Sequence, residues 1–138
     1  MTLRESYIQS LIALLEVIPW FGANVTRSMS VAFSREESPM VIVHRGAEDV
    51  ENSLGDDTDR HCEIRVSVLS RADAPDQEAD EVMERAHPVI MQFQAPGVIL
   101  VEEVGTDEPR FASADGTACV VTTRYRIHYS SSRLSLSD

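Results

Sequence analysis

Cysteine is nearly absent from this chain. Its two copies, Cys62 and Cys119, form no Cys-x-x-Cys pair, so neither a disulfide framework nor a thiolate metal site has a motif to rest on. Both read as buried reduced thiols, as in a protein made and kept in a reducing cytoplasm. Basic residues are scarce as well: 12 Lys and Arg stand against 23 Asp and Glu, a formal charge of -11. Such a surface repels phosphate backbones and anionic headgroups, so no nucleic-acid sequence recognition and no membrane binding are expected. Long hydrophobic runs are missing too. Residues 11–18 are interrupted by Glu16 and preceded by Arg4, Glu5 and Gln9, too short and too charged for a span and without the small-residue cleavage site of a signal peptide. Nucleophile elbow, Walker loop, dinucleotide fingerprint and His-Glu-x-x-His pair are all lacking, and neither enzymatic turnover nor a cofactor is expected.

What is present is the material of one ordinary globular domain. At 138 residues, 43% hydrophobic and 25% charged, the chain has enough apolar surface for one compact core, burying roughly two thirds of what the unfolded chain exposes. Thr2-Leu3-Arg4-Glu5 fits a capping box and starts a helix. Leu3, Tyr7, Leu11, Leu14 and Leu15, with Ile8 and Ile12, give it an apolar stripe at three- and four-residue steps, and Pro19 ends it. Trp20 and Phe21 are expected to anchor the following turn.

Strand candidates come next. Val25-Thr26-Arg27-Ser28 is short, and Met40-Val41-Ile42-Val43 is apolar at every position, a pattern of strands covered on both faces. Residues 46–59 carry Glu48, Asp49, Glu51, Asp56, Asp57 and Asp59 with no base, around Gly55, and read as an exposed acidic loop. Residues 60–69 then alternate as a strand. A second helix is expected from Pro75 into the low nineties, kinked or broken near His87 by Pro88. Val98-Ile99-Leu100-Val101 is another continuous apolar strand, and residues 117–130 alternate cleanly. Residues 130–138, rich in serine, are expected as a disordered tail.

The order α-β-β-β-α-β-β implies an α+β domain over residues 1–129, with a single mostly antiparallel five-stranded sheet and two helices packed on one face. Two helices cannot cover both faces of that sheet, so the apolar strands point to cover from a neighbouring subunit.

Three constellations are weak. Glu84-x-x-His87 is half of a di-iron pair without its other half. Asp56-Asp57-Thr58-Asp59 faintly resembles a calcium loop but lacks the spacing, although with His61 it leaves open a small metal- or ligand-binding domain. The histidines His44, His61, His87 and His128 show no ligand spacing, and no metal site is assigned. Arg124, Arg126 and His128, on one face of the last strand, concentrate positive charge in an acidic chain. They are read either as a polar sheet face with cross-strand partners such as Glu63, Glu102 or Glu103, or as a contact with the acidic side of another subunit.

In its Arg4-Glu5-Ser6-Tyr7-Ile8 helix, the Val25-Thr26-Arg27-Ser28 strand, Glu36-Glu37-Ser38-Pro39 before Met40-Val41-Ile42-Val43, the acidic stretch at Glu48-Asp49, the helix around Ala79-Asp80 and the closing Tyr125-Arg126-Ile127-His128-Tyr129, the chain resembles the phage tail terminators, the family that includes the minor tail protein U group. The resemblance implies a hexameric ring of copies that sits on the tail tube protein, stops tube polymerisation and meets the head-tail connector protein. It implies a virion protein assembled in the bacterial host cytoplasm. The interface residues expected are Arg124, Arg126, His128, Glu48, Asp49, Asp56, Asp57 and Asp59. A neck or tail-completion protein contacting the connector is the alternative of the same class.

Overall fold

The structure, a computed structural model, describes residues 1–19, 24–27, 38–53, 55–112 and 115–138. The expected roles of Trp20 and Phe21, the last residue of the Val25–Ser28 stretch and Glu36-Glu37 lie outside the described residues.

Helix α1 covers Leu3–Glu16, and its N-cap is the Thr2 hydroxyl, which accepts from the Glu5 backbone N–H at 3.2 Å. The Glu5 carboxylate does not close a capping box; it pairs with Arg27. Tyr7, Ile8, Leu11 and Leu15 form the buried stripe, each side chain contributing about 2 kcal/mol by leaving water. Helix α2 covers Pro75–Met91, with Pro75 in its first turn and Asp76 and Glu78 at the positive end of its dipole. Pro88 does not break it. Glu84, whose carbonyl loses its helical partner there, lies like Pro88 on the exposed side, where water can take the vacated hydrogen bond.

The strands are β1 Asn24–Thr26, β2 Met40–Asn52, β3 Asp57–Arg71, β4 Val98–Thr106, β5 Arg110–Phe111 and β6 Ala118–Ser132. The sheet thus has six described strands and is mixed. Its order is β1-β2-β3-β6-β4, with β5 also on β6, and β1 runs parallel to β2 while every other pair is antiparallel. Five strands were expected; β5 is two residues long and leaves no periodic trace in the sequence.

Two boundaries differ further. The expected acidic loop is mostly strand: β2 continues past a bulge between Arg45 and Glu48 as far as Asn52, and β3 resumes at Asp57. Charged residues carry the alternation there, so a hydrophobic pattern could not reveal it. The last strand also outruns the expected boundary, reaching Ser132. Beyond it the chain turns back: Arg133 N–H donates to the Asp56 carbonyl at 2.8 Å and Leu3 N–H to the Leu136 carbonyl at 2.8 Å.

Both helices pack on one face of the sheet. Their buried residues, with Ala79, Val82, Ala86 and Ile90 from α2, meet Val41, Val43, Ile64, Val66, Val68, Val121, Ile127 and two tyrosines in one core. Tyr7 sits at its centre, edge-on to Phe93 at 5.9 Å and to Tyr129 at 5.2 Å, its hydroxyl donating to the Pro96 carbonyl at 2.6 Å. Among the described residues, no helix is long and apolar enough to cross a membrane.

Candidate functional site

The face of the sheet opposite the helices is where the sequence placed its candidates, and it is charged rather than apolar. Met40 and Ile42 are buried as expected of a strand covered on both sides, but Ile99 and Leu100 are 62% and 47% exposed on the edge strand β4. Exposed apolar sheet is thus limited to that edge and to single positions, Val50 on β2 and Phe111 on β5.

Pairing register lines up the open face. Arg65 lies opposite Arg124, Glu63 opposite Arg126, and His61 opposite His128. The two facing arginines would repel, and acids separate them. Glu63 takes Arg65 at 3.1 Å and lies 3.9 Å from Arg124, whose Nε donates to Asp107 at 3.1 Å. Arg126 donates to Glu102 at 3.3 Å. Of the cross-strand partners foreseen, Glu63 and Glu102 serve; Glu103 lies on the other face, 3.7 Å from His87. The rings of His61 and His128 lie against each other, tilted by 36° with centroids 3.9 Å apart, and His61 bonds Glu51 at 2.7 Å. His128 Nε2 is buried without a hydrogen-bond partner among the described residues, 3.7 Å from Glu102.

The acidic candidates scatter. Glu48 faces the helices, where its carboxylate, 8% exposed, holds Arg4, Arg60 at 3.4 Å and the Tyr129 hydroxyl at 2.5 Å. It is committed to the interior and offers nothing to a partner. Asp49 is exposed and faces His61. Asp56 and Asp57 are exposed at the β2–β3 turn, and Asp59 pairs with Ser130. Six residues of β6 separate the Asp57 position from Arg126, about 20 Å, so the arginines and the turn acids are two surfaces.

Burial governs the titrations. Desolvation pushes the hydroxyls of Tyr7, Tyr125 and Tyr129 up, helped at Tyr125 by the Glu103 charge and at Tyr129 by the hydrogen bond to Glu48. Tyr125 is held as a neutral phenol 2.8 Å from His87 Nδ1, a structural contact rather than an activated nucleophile. No group of three or more His, Cys, Asp or Glu fit to hold a metal occurs among the described residues.

Sequence reasoning missed two opposed features at the sheet's edges. One is a cleft of about 210 Å³ lined by Thr2, Arg4, Glu5, Ile8, Arg27 and Arg45. The other is a cavity of about 460 Å³ between α2 and the end of β4, with Asp76, Asp80 and Asp107 over Met83, Pro109 and Val121. Neither set is contiguous in sequence. The one available signal was that all 12 cationic residues are arginines, the side chain suited to bidentate carboxylate contacts.

An α+β domain with one sheet face under two helices and the other charged is the class these observations define. No known family model and no curated protein matches the sequence. Among solved structures, the chain is similar to a chain described as "Virion of native gene transfer agent (GTA) particle", with a TM-score of 0.59 and 13% identity over 94% of this chain and 96% of that one. At that identity the likeness is one of fold, and it runs end to end.

Proposed function

We propose that this chain is a structural component of a phage or phage-like particle, and specifically its tail terminator: a ring of copies that seats on the tail tube, stops tube polymerisation and offers a surface for head joining. The observation that carries this reading is the end-to-end fold likeness to a chain of a gene transfer agent virion. A match across 94% and 96% of the two chains involves the whole domain rather than a shared motif, and the resemblance of the sequence to tail terminators supports the tail end in particular. Charged groups on the open sheet face and at both sheet edges suit recognition between folded surfaces.

The likeness names a virion and not a part of one, which favours keeping a neck or tail-completion role beside the first. Binding to tail tube protein and to connector protein, each offered alone, separates the two. Capture of the tube protein, with tubes of limited length when the chain is present during polymerisation, supports the terminator. Capture of the connector alone moves the protein to the neck, and binding to neither overturns the virion reading.

A further inference from the structure

Positive charge is in local excess around the arginine cleft. Arg4, Arg27 and Arg60 share two carboxylates, Glu48 and Glu5, and Arg45 has no ion pair among the described residues. In a chain of net charge -11 this is an exception. Its place in the fold is definite: Arg27 directly follows β1, Arg45 lies on β2 beyond the stretch paired with β1, and Arg4 is on the first turn of α1. All three therefore border the β1–β2 edge of the sheet.

The opposite edge has the opposite sign. Asp107 follows β4, and Asp76 and Asp80 stand in the first turns of α2 above it. Asp76 and Asp80 are exposed and have no salt bridge among the described residues. The apolar floor beneath them accepts the methylene stem of an arginine while the carboxylates take its guanidinium. Unlike patches on opposite edges cannot meet within one molecule. They meet when one copy stands beside the next in the same sense, the heterologous arrangement that generates rings.

We infer that the arginine cleft of Arg4, Arg27 and Arg45 docks the acidic edge of Asp76 and Asp80, beside the Arg124-bound Asp107, on a second copy of this chain. The inference rests on the self-assembly part of the proposed function and gives it a specific contact. It also assigns the arginines of the open sheet face, Arg124 and Arg126, no part in that contact, since they lie on β6, inside the sheet rather than at its β1–β2 edge.

The test is a charge swap on the intact chain, with assembly mass followed across protein concentration at low and high salt. Wild type is expected to assemble, and salt to weaken it. Arg45→Glu and Asp80→Arg should each raise the half-assembly concentration about tenfold or more, and the double variant should recover most of that loss. Both positions are exposed, and circular dichroism checks that each variant folds; Arg45→Gln and Asp80→Asn, expected to weaken assembly less, replace any reversal that does not. Single variants that assemble like wild type, or a double variant no better than the worse single, overturn this contact and leave self-assembly standing. A wild type that stays monomeric throughout overturns both.

Discussion

The Tyr129 hydroxyl donates a 2.5 Å hydrogen bond to Glu48, joining β6 to β2 over the intervening strand β3. The same carboxylate receives Arg4 from α1 and Arg60 from β3, so one nearly buried charge ties the first helix to three strands. A buried carboxylate is tolerable only with such partners, and removing it strands them all.

Glu48→Ala should therefore cost about 3 kcal/mol of stability, because two guanidiniums and a phenol lose their acceptor. Glu48→Gln keeps an oxygen for Tyr129 and should cost less. Urea unfolding measures both. A loss under about 1 kcal/mol for the alanine variant would show that water already satisfies the cluster.

Two glycines with positive φ should respond unequally to alanine. Gly97 has φ +87, and a Cβ there would lie 2.9 Å from both the Ser130 carbonyl oxygen and the Tyr7 hydroxyl; Gly55 has φ +73 and open space around it. Gly55→Ala should cost about 1 kcal/mol, the left-handed backbone penalty alone. Gly97→Ala adds a clash with the β6 backbone and should cost about 3 kcal/mol. Equal unfolding midpoints for the two variants would contradict the close approach of Gly97 to β6.

Which parts of this fold were legible depended on what carried the period. Tyr7, Leu11 and Leu15 spelled out α1, and the alternation from Cys119 to Tyr129 spelled out most of β6, because apolar residues marked the buried side. In the second half of β2 the inward residue is Glu48, whose burial depends on Arg4 and Arg60, distant in sequence, so an acidic strand looked like a loop. Ser130, Ser131 and Ser132 continue β6 without an apolar side chain to announce it. The charged face was readable from Arg124, Arg126 and His128, and so were Glu63 and Glu102 as partners. Arg65 and Asp107 were not, since only the strand register brings them beside Arg124. The opposed edges escaped for the same reason: each gathers residues from two or more elements.

His44 should make stability fall on the acid side. It is half-buried across from Arg65, and burial first, then the Arg65 charge, holds its pKa below the ordinary histidine value. The unfolded chain, with a histidine pKa near 6.5, then takes up the proton first. The neutral ring's contribution is complete above that value and is lost as pH falls through it toward the folded pKa. His44→Gln should accordingly narrow the gap between urea midpoints measured at about pH 7.5 and about pH 5.5. An unchanged gap would mean that His44 titrates alike in both states.

Cys62 should resist thiol reagents for as long as the sheet is intact. Its side chain is in the core, where burial above all, with the nearby Glu48 charge adding, pushes the thiol up to about 12. Only the thiolate attacks a disulfide reagent, and at about pH 8 roughly one thiol in ten thousand would be ionised. Cys119 is also buried and is shifted in the same direction, mainly by desolvation. Labelling should then follow the opening of the strands rather than thiol chemistry, slow in buffer and rapid in denaturant. If Cys62 reacts within seconds in the folded protein, the tight packing of Cys62 in the core beside the Glu48 cluster is wrong at its centre, and the stability expected of Glu48 falls with it.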